Sequence, residues 1–250
     1  MEKKFKLWDN ILSSGEVMVE INPYIEAIKP YIPGKPIEEV KRELGLKSVI
    51  KLASNENNWG IPDRVRKRIS QKISDIYMYP EGSVPLLRKR LSELYNLETD
   101  QIIVGNGSDE LLQIIALCYL NQDTEVLISE GTFSEYEFVC RLVNAPFRTI
   151  PLKQDRYDLE EFSKEITPDT RVIFACNPNN PTGTYFSRQE LDQFLTQLPE
   201  DVLFVLDEAY YEYASGDDYP ESIPLLSDYP NLVILRTFSK IWALAGLRIG

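Results

Sequence analysis

The sequence has no histidine among its 250 residues. Histidine supplies the general base of Ser-His and Cys-His nucleophile pairs and is the commonest metal ligand in proteins. Its absence excludes those catalytic pairs and most zinc sites, so we expect no metal centre. Catalysis would have to rely on lysine, aspartate, glutamate, tyrosine or a bound cofactor.

Cysteines and long apolar runs are also scarce. Cys118, Cys140 and Cys176 lie far apart and form no CxxC pair, so we expect three reduced core residues. No apolar run approaches the roughly 18 residues of a membrane helix, and residues 1–24 contain no apolar stretch of signal-peptide length. These features predict a cytoplasmic protein without a membrane partner.

Basic residues are outnumbered. The 27 Lys and Arg against 39 Asp and Glu give a formal net charge of −12. Such a field repels nucleic-acid phosphates and anionic bilayers, so we expect no nucleic-acid partner. The hydrophobic fraction of 43% is enough to fill a sizeable core in one or two domains.

Short apolar, β-branched runs alternate with amphipathic stretches along the chain. The runs predict strands at residues 49–53, 102–104, 125–129, 171–175, 202–206 and 232–235. The stretches predict helices at residues 62–76, 85–95, 109–120, 134–143 and 187–195. This alternation is typical of an α/β fold with a mostly parallel sheet sandwiched by helices.

The two ends of the sequence differ from this pattern. Residues 1–46 include a segment rich in proline and glycine, and we expect them to form an N-terminal arm and part of a small domain. Residues 47–250 would form the large domain. The last residues, 244–250, have the character of a beginning strand, so we expect this domain to be incomplete at its C-terminus.

Two loops that follow predicted strands carry small residues and amides. Gly107, Ser108 and Asp109 open a predicted helix, where backbone N–H groups can bind a phosphate. An ordinary turn with Ser108 as the helix N-cap is the alternative. In the segment 177–183, the X-Pro steps extend Asn177 and Asn180 and aim their amides toward the ligand crevice, although a plain Asn-Pro turn has the same sequence.

Two further loops carry charged and hydroxyl groups. Asp207 ends an apolar strand and Tyr210 follows three residues later. A carboxylate there needs a cation or several hydrogen-bond donors, unless it is simply a helix N-cap. Thr237 and Ser239 flank Lys240 after the last predicted strand, where a solvated lysine is the alternative.

The four loops share one location, the carboxyl ends of the strands. Together they offer a phosphate site, an aimed amide, a buried acid with a nearby phenol, and a lysine. Pyridoxal 5′-phosphate requires this combination: an anion site, an acidic partner for the ring nitrogen, donors to the phenolic oxygen, and an amine for the aldehyde.

The same motifs resemble those of the fold-type I aminotransferases that use pyridoxal phosphate, and most closely those of the histidinol-phosphate aminotransferases. Three further segments match in the same order, residues 30–40 (PYIPGKPIEEV), 51–57 (KLASNEN) and 79–82 (YPEG). The resemblance covers nearly the whole chain. It implies transamination between histidinol phosphate and 2-oxoglutarate, which yields imidazole acetol phosphate and glutamate.

The resemblance also implies roles for individual residues. Lys240 would bind the cofactor aldehyde and shuttle the proton, Asp207 would hold the ring nitrogen protonated, and Tyr210 would donate to the phenolic oxygen together with Asn180. Phe133 would stack on the ring. Phosphate ligands would be Gly107, Ser108, Asp109, Thr237, Ser239 and Arg248. Tyr79 would reach the phosphate of a neighbouring subunit in a homodimer, and Tyr31 and Asn55 would contact substrate.

Other functions fit the same motifs. Residues 131–133 read Gly-Thr-Phe where the family commonly has Pro-Thr-Tyr, and 57–60 replace an Asn-Pro step, so decarboxylation of a phosphorylated amino acid is an alternative. A non-catalytic fragment or ligand-sensing module is another. The family binds the substrate carboxylate through an arginine of a C-terminal small domain, and the resemblance places that residue outside these 250.

Overall fold

A computed structural model describes residues 22–26, 28 and 34–250. The helices are α1 Pro23–Glu26, α2 Ile37–Leu44, α3 Asp63–Lys72, α4 Pro85–Tyr95, α5 Ser108–Tyr119, α6 Glu135–Leu142, α7 Leu159–Glu165 and α8 Arg188–Gln197. The strands are β1 Glu125–Ser129, β2 Phe147–Ile150, β3 Thr170–Cys176, β4 Leu203–Asp207 and β5 Leu232–Leu235. Short 3₁₀ segments include Ala53–Asn55, Tyr211–Tyr213 and Ala245–Leu247.

The strands form one parallel sheet in the order β2-β1-β3-β4-β5. Most residues of β3 and β4 are fully buried, including Ile173, Phe174, Phe204 and Val205. A parallel strand covered on both faces reads as a continuous apolar run, which is why the sequence revealed these strands. The predicted fold class, a mostly parallel sheet between helices, is confirmed.

The strand order reverses between β1 and β3. From β1 the sheet extends to β2 on one side, and from β3 it extends through β4 to β5 on the other. The loops that leave the carboxyl ends of β1 and β3 therefore diverge, and they leave a crevice at this edge of the sheet. The loops after β4 and β5 open on the same edge.

The core is built from both layers. Helix α5 packs against α6, and α7 packs against α8. The largest fully buried side chains include Tyr136 of α6, Phe162 of α7, and Phe174 and Phe204 of the sheet. Burying each such ring stabilises the fold by about 1.5–3 kcal/mol. The packed sheet and helices therefore form a rigid base for the loops at the carboxyl ends of the strands.

Two predicted strands are wrong. Residues 49–53 run irregularly into a 3₁₀ turn, and Ile50 and Leu52 are exposed. Residues 102–104 are also irregular, although Gly105 and Gly250 exchange two backbone hydrogen bonds of 2.9 and 3.1 Å. A run of apolar residues becomes a strand only beside a partner strand, and the described residues give neither segment one.

Four elements were not predicted, one of them the four-residue helix α1. Strand β2 has four residues, and Arg148 and Thr149 interrupt its apolar pattern. Helices α2 and α7 have eight and seven residues and are strongly charged. Helix α7 begins at an Asp158 cap, whose carboxylate accepts a 3.2 Å hydrogen bond from the Glu161 N–H. Within the described residues, no helix is long and apolar enough to cross a bilayer.

Candidate active site

The N-terminus of α5 and Arg248 enclose a small cup, which we call the anion cup after the ligand that the sequence predicts for it. Gly107 precedes the helix with φ +87°, and a Cβ there would lie 2.5 Å from Arg248 Nη2. Arg248 Nη2 also donates to Asp109 Oδ2 at 2.9 Å, and Nη1 reaches Ser239 Oγ at 3.5 Å. A helix N-terminus and a guanidinium together favour a phosphate group. The structure thus brings Gly107, Ser108, Asp109, Ser239 and Arg248 together, as expected from the sequence.

Thr237 and Ser239 lie in the loop after β5, next to the segment that carries Arg248. Both are buried, and the Thr237 hydroxyl accepts a 3.1 Å hydrogen bond from the Ser239 N–H. The same hydroxyl donates to the Ile249 carbonyl at 3.4 Å. Thr237 therefore fastens the loop after β5 to the segment that carries Arg248. Its predicted direct contact with a phosphate stays a prediction.

Asp207 is the buried acid of the site. It ends β4 with 2% of its surface exposed, and its carboxylate accepts hydrogen bonds from the Tyr136 hydroxyl (2.8 Å) and the Ala209 N–H (3.0 Å). Burial raises the pKa of Asp207 to about 6, although these two bonds lower it. The carboxylate thus has hydrogen-bond donors, as expected from its position at the end of an apolar strand. Its pKa stays raised nevertheless, so the two donors do not fully offset its loss of hydration. A cationic ring nitrogen would compensate it.

Lys240, Tyr210 and Asn55 form a second cluster of the site. Lys240 Nζ lies 5.3 Å from the centroid of the Tyr210 ring and donates to the Ser54 carbonyl at 3.4 Å. Asn55 Nδ2 donates to the Tyr210 hydroxyl at 3.0 Å. The Lys240 charge also acts on the Asp207 carboxyl and lowers its pKa. Residues far apart in the sequence thus place an amine, a phenol and an amide together.

Ser54 and Asn55 have left-handed backbones, with φ of 70° and 52°. Such conformations cost of order 1–3 kcal/mol in non-glycine residues and concentrate at functional sites. The turn that they form brings the Ser54 carbonyl to Lys240 and the Asn55 amide to Tyr210. The segment 49–53, which does not form its predicted strand, leads into this turn.

A cavity of about 370 Å³ opens next to these residues. Asn55, Asn180, Tyr210 and Tyr213 line it. Its size suits a small metabolite, since ligand cavities usually measure about 300–1,000 Å³. Asn180 therefore lies on the wall of a cavity, and its contact with a bound ligand stays a prediction. Asn177, which the sequence also placed at the crevice, does not line this cavity, because its amide is buried and bonded to the Phe186 backbone N–H at 2.9 Å.

Asn179, which the sequence analysis did not select, joins the two loops at the switch point. Its Nδ2 donates to the Gly131 carbonyl at 3.1 Å, and its Oδ1 accepts from the Thr132 hydroxyl at 2.9 Å. These bonds fix the segment that carries Phe133. The Phe133 ring meets Tyr136 edge-on, with centroids 5.7 Å apart. Stacking of Phe133 on a bound ring stays a prediction.

A sequence model of the family described as aminotransferase class I and II matches residues 47–250. The chain belongs to this family. Three proteins illustrate what it is similar to. Histidinol-phosphate aminotransferase of Bacillus velezensis is 49% identical over 233 residues, which cover 93% of this chain and 65% of that protein. The chain thus spans less than two thirds of that relative.

Two solved structures share the fold of this class I and II aminotransferase chain. Histidinol-phosphate aminotransferase from Sinorhizobium meliloti, in complex with pyridoxal-5′-phosphate, has a TM-score of 0.82 and 30% identity, and covers 92% of this chain and 61% of that one. L-threonine-O-3-phosphate decarboxylase from Porphyromonas gingivalis has a TM-score of 0.69 and 26% identity, and covers 81% of this chain and 59% of that one.

A second buried acid of this aminotransferase chain also escaped the sequence analysis. Glu208 is 1% exposed and pairs with Arg236, whose Nε and Nη2 lie 2.9 and 2.8 Å from Oε2. The Ser222 hydroxyl donates to Oε1 at 2.7 Å, and the guanidinium lies 3.5 Å from the centroid of the Tyr211 ring. Burial raises the pKa of Glu208 to about 7, against the opposing charge of Arg236. The pair ties the end of β4 to the end of β5.

Two predicted site residues are not placed in the site. The Tyr79 side chain is fully exposed. Tyr31 lies outside the described residues. Their roles in a neighbouring subunit and in substrate binding stay predictions, as does the division of the chain at residue 46.

Proposed function

We propose that this site binds pyridoxal 5′-phosphate. Three observations support the fit. The buried Asp207 carboxyl keeps a raised pKa, so its negative charge is not fully compensated, although Lys240 lies close enough to lower that pKa. A Cβ at Gly107 would lie 2.5 Å from Arg248 Nη2, so the cup has no room for one. When bound, the cofactor withdraws electrons from the amine-bearing carbon of a substrate, so that this carbon can lose a proton.

The residues would divide the work of holding the cofactor. The cup formed by Gly107, Ser108, Asp109, Ser239 and Arg248 would bind the phosphate, with Thr237 supporting it. Asp207 would pair with the ring nitrogen through a charge-assisted hydrogen bond. Tyr210 and Asn180 would donate to the phenolic oxygen, and Phe133 would cover one face of the ring.

Lys240 would act twice. Its Nζ would hold the cofactor covalently through the aldehyde carbon. When free, the same Nζ would carry the proton that the amine-bearing carbon of the substrate loses. This shuttle needs no histidine, which agrees with the composition of the chain.

We further propose that the whole protein transfers the amino group of histidinol phosphate to 2-oxoglutarate, which yields imidazole acetol phosphate and glutamate. The observation that carries the reaction type is the set of Asp207, Lys240 and the anion cup at one edge of the sheet. The name of the Bacillus velezensis relative supports the choice of substrate. Tyr31 and Asn55 would contact the substrate, and Tyr79 would reach the phosphate bound by the partner in a homodimer. Residues 1–46 would form the arm and part of the small domain.

The experiment is an assay of full-length protein with pyridoxal phosphate, histidinol phosphate and 2-oxoglutarate. We expect glutamate to accumulate in equal amount to imidazole acetol phosphate, and we expect none with the Lys240→Ala variant. The Porphyromonas gingivalis structure makes decarboxylation the second candidate. Carbon dioxide released from a phosphorylated amino acid, without glutamate, would overturn the transaminase proposal in its favour.

A further inference from the structure

Tyr136 is held in place by packing on two sides of its ring. Its side chain is fully buried in α6. The ring stacks on Phe174 of β3 with centroids 5.2 Å apart and planes 4° apart, and it meets Phe133 edge-on. Packing on a face and an edge fixes both the ring and the direction of its hydroxyl.

The Asp207 carboxylate receives one hydrogen bond on each oxygen. The Tyr136 hydroxyl donates to Oδ2 at 2.8 Å, and the Ala209 N–H donates to Oδ1 at 3.0 Å. The hydrogen bond from Ala209 comes from the turn that follows Asp207. It still allows the carboxylate to rotate about the Cβ–Cγ bond, because the χ2 torsion of aspartate has a broad energy well. The second bond, from another element, fixes the plane. An ionised carboxylate has about four acceptor positions, so two stay free for a ligand.

We propose that Tyr136 is a positioning residue of the active site, whose hydroxyl fixes the plane of the Asp207 carboxylate and stabilises its ionised form for a cationic ring nitrogen. This inference deepens the proposed function and rests on it. Tyr136 would touch neither cofactor nor substrate. It would act only through Asp207.

Other titratable groups also face Asp207. The charge of Lys240 lowers the pKa of the Asp207 carboxyl and that of Asp109 raises it. The Cys176 thiol and the Tyr157 phenol also interact electrostatically with this carboxyl. Tyr157 is a second buried phenol, but its hydroxyl pairs with Thr132 Oγ1 at 2.7 Å and accepts from the Cys176 N–H at 3.2 Å. Tyr157→Phe is therefore a matched control, since it removes a nearby phenol without a bond to Asp207.

The experiment titrates Asp207 in cofactor-free, full-length protein labelled with carbon-13 at aspartate Cγ. Asp207→Asn identifies the resonance by its disappearance. We expect the midpoint of Asp207 to rise by about one pH unit or more in Tyr136→Phe, the effect of losing one hydrogen bond to a charged group. Tyr157→Phe should shift it much less. Incorporating 4-aminophenylalanine at position 136, which restores a donor, should return the midpoint toward that of the wild type.

Equal shifts in Tyr136→Phe and Tyr157→Phe would overturn the proposal, and so would a failure of the amino analogue to reverse the shift. If Tyr136→Phe does not fold, 4-fluorophenylalanine at position 136 fills the place of the hydroxyl without offering a donor, and an Asp207 midpoint unchanged from wild type in that variant would overturn the proposal. Adding pyridoxal phosphate separates the two proposals. Wild-type protein that does not bind it refutes the cofactor assignment, whereas the titration tests Tyr136 in either case.

Discussion

Asp207 occupies a position where the folded chain disfavours its ionised form. Burial raises the pKa of its carboxyl from the ordinary 3.8 to about 6. Between these two values the folded protein keeps a proton that the unfolded chain has lost, so the contribution of Asp207 to stability falls as the pH rises through this window. At neutral pH the cofactor-free protein therefore holds a destabilising charge, and a bound cation would offset it.

The first prediction follows from this charge. Cofactor-free Asp207→Asn should be more stable than wild type by up to about 3 kcal/mol near pH 7.5, falling to about 1 kcal/mol near pH 4.5. Urea denaturation at the two pH values measures the difference. The variant should nevertheless bind pyridoxal phosphate more weakly, and its rate of amino-group transfer should fall by several orders of magnitude. An advantage of the same size at both pH values would contradict the assignment of the charge to Asp207.

At the scale of elements, the N-terminus of α5 is shaped by one glycine. Gly107→Ala would impose a Cβ 2.5 Å from Arg248 Nη2 on a backbone with φ +87°. We expect the guanidinium to move and the affinity for pyridoxal phosphate to fall about 10- to 100-fold, the effect of losing one charge-assisted hydrogen bond. An absorbance titration with the cofactor measures this.

The matched control is Gly45→Ala. Gly45 also has a positive φ, of 66°, but a Cβ there meets no atom within 4 Å. The control should lose stability through backbone strain and keep its cofactor affinity. If both variants bind pyridoxal phosphate as tightly as wild type, the anion cup is placed wrongly.

The ends of β4 and β5 depend on the pair of Glu208 and Arg236. Because Glu208 is buried, Arg236→Ala leaves an uncompensated carboxylate and should cost about 3–5 kcal/mol. Arg171→Ala removes a more exposed pair, 3.4 Å from Asp201, and should cost no more than about 1 kcal/mol. Urea denaturation of both variants compares the two costs directly. Similar costs would mean that the buried pair does not fasten the strand ends.

The sequence revealed the elements that are buried on both faces. Strands β1 and β3 to β5 are continuous apolar runs, so the pattern located them within a residue or two. Strand β2 escaped because it is a short edge strand whose Arg148 pairs with Glu125 at 2.7 Å. Residues 49–53 and 102–104 have strand composition, but whether such a run pairs is decided by its neighbours in space.

The candidate site was predictable where chemistry follows directly after a strand. Asp207 ends β4, and Asn180 and Lys240 follow β3 and β5 within a few residues. The glycine turn before α5 was found although residues 102–104 before it do not form a strand. Tyr136 could not be selected, because a tyrosine on the apolar face of a helix reads as core until its hydroxyl is seen to reach Asp207. Asn179 and the pair of Glu208 and Arg236 likewise join segments whose proximity only the fold creates.

At the scale of the whole molecule, Tyr79 extends fully into solvent. We expect the full-length protein to sediment as a dimer and Tyr79→Phe to bind pyridoxal phosphate about 10-fold more weakly, since one hydrogen bond to the phosphate is lost. Its sedimentation and thermal midpoint should stay those of wild type. A monomer with undiminished cofactor affinity would refute the contribution from a neighbouring subunit.

A covalent bond between the amine of Lys240 and pyridoxal phosphate can be detected by hydride trapping. Full-length protein is loaded with the cofactor, reduced with borohydride, digested and analysed by mass spectrometry. We predict a pyridoxyl group on the peptide that contains Lys240, and none in Lys240→Ala. A protein that stays colourless and carries no pyridoxyl group, or carries it on another lysine, would contradict the account.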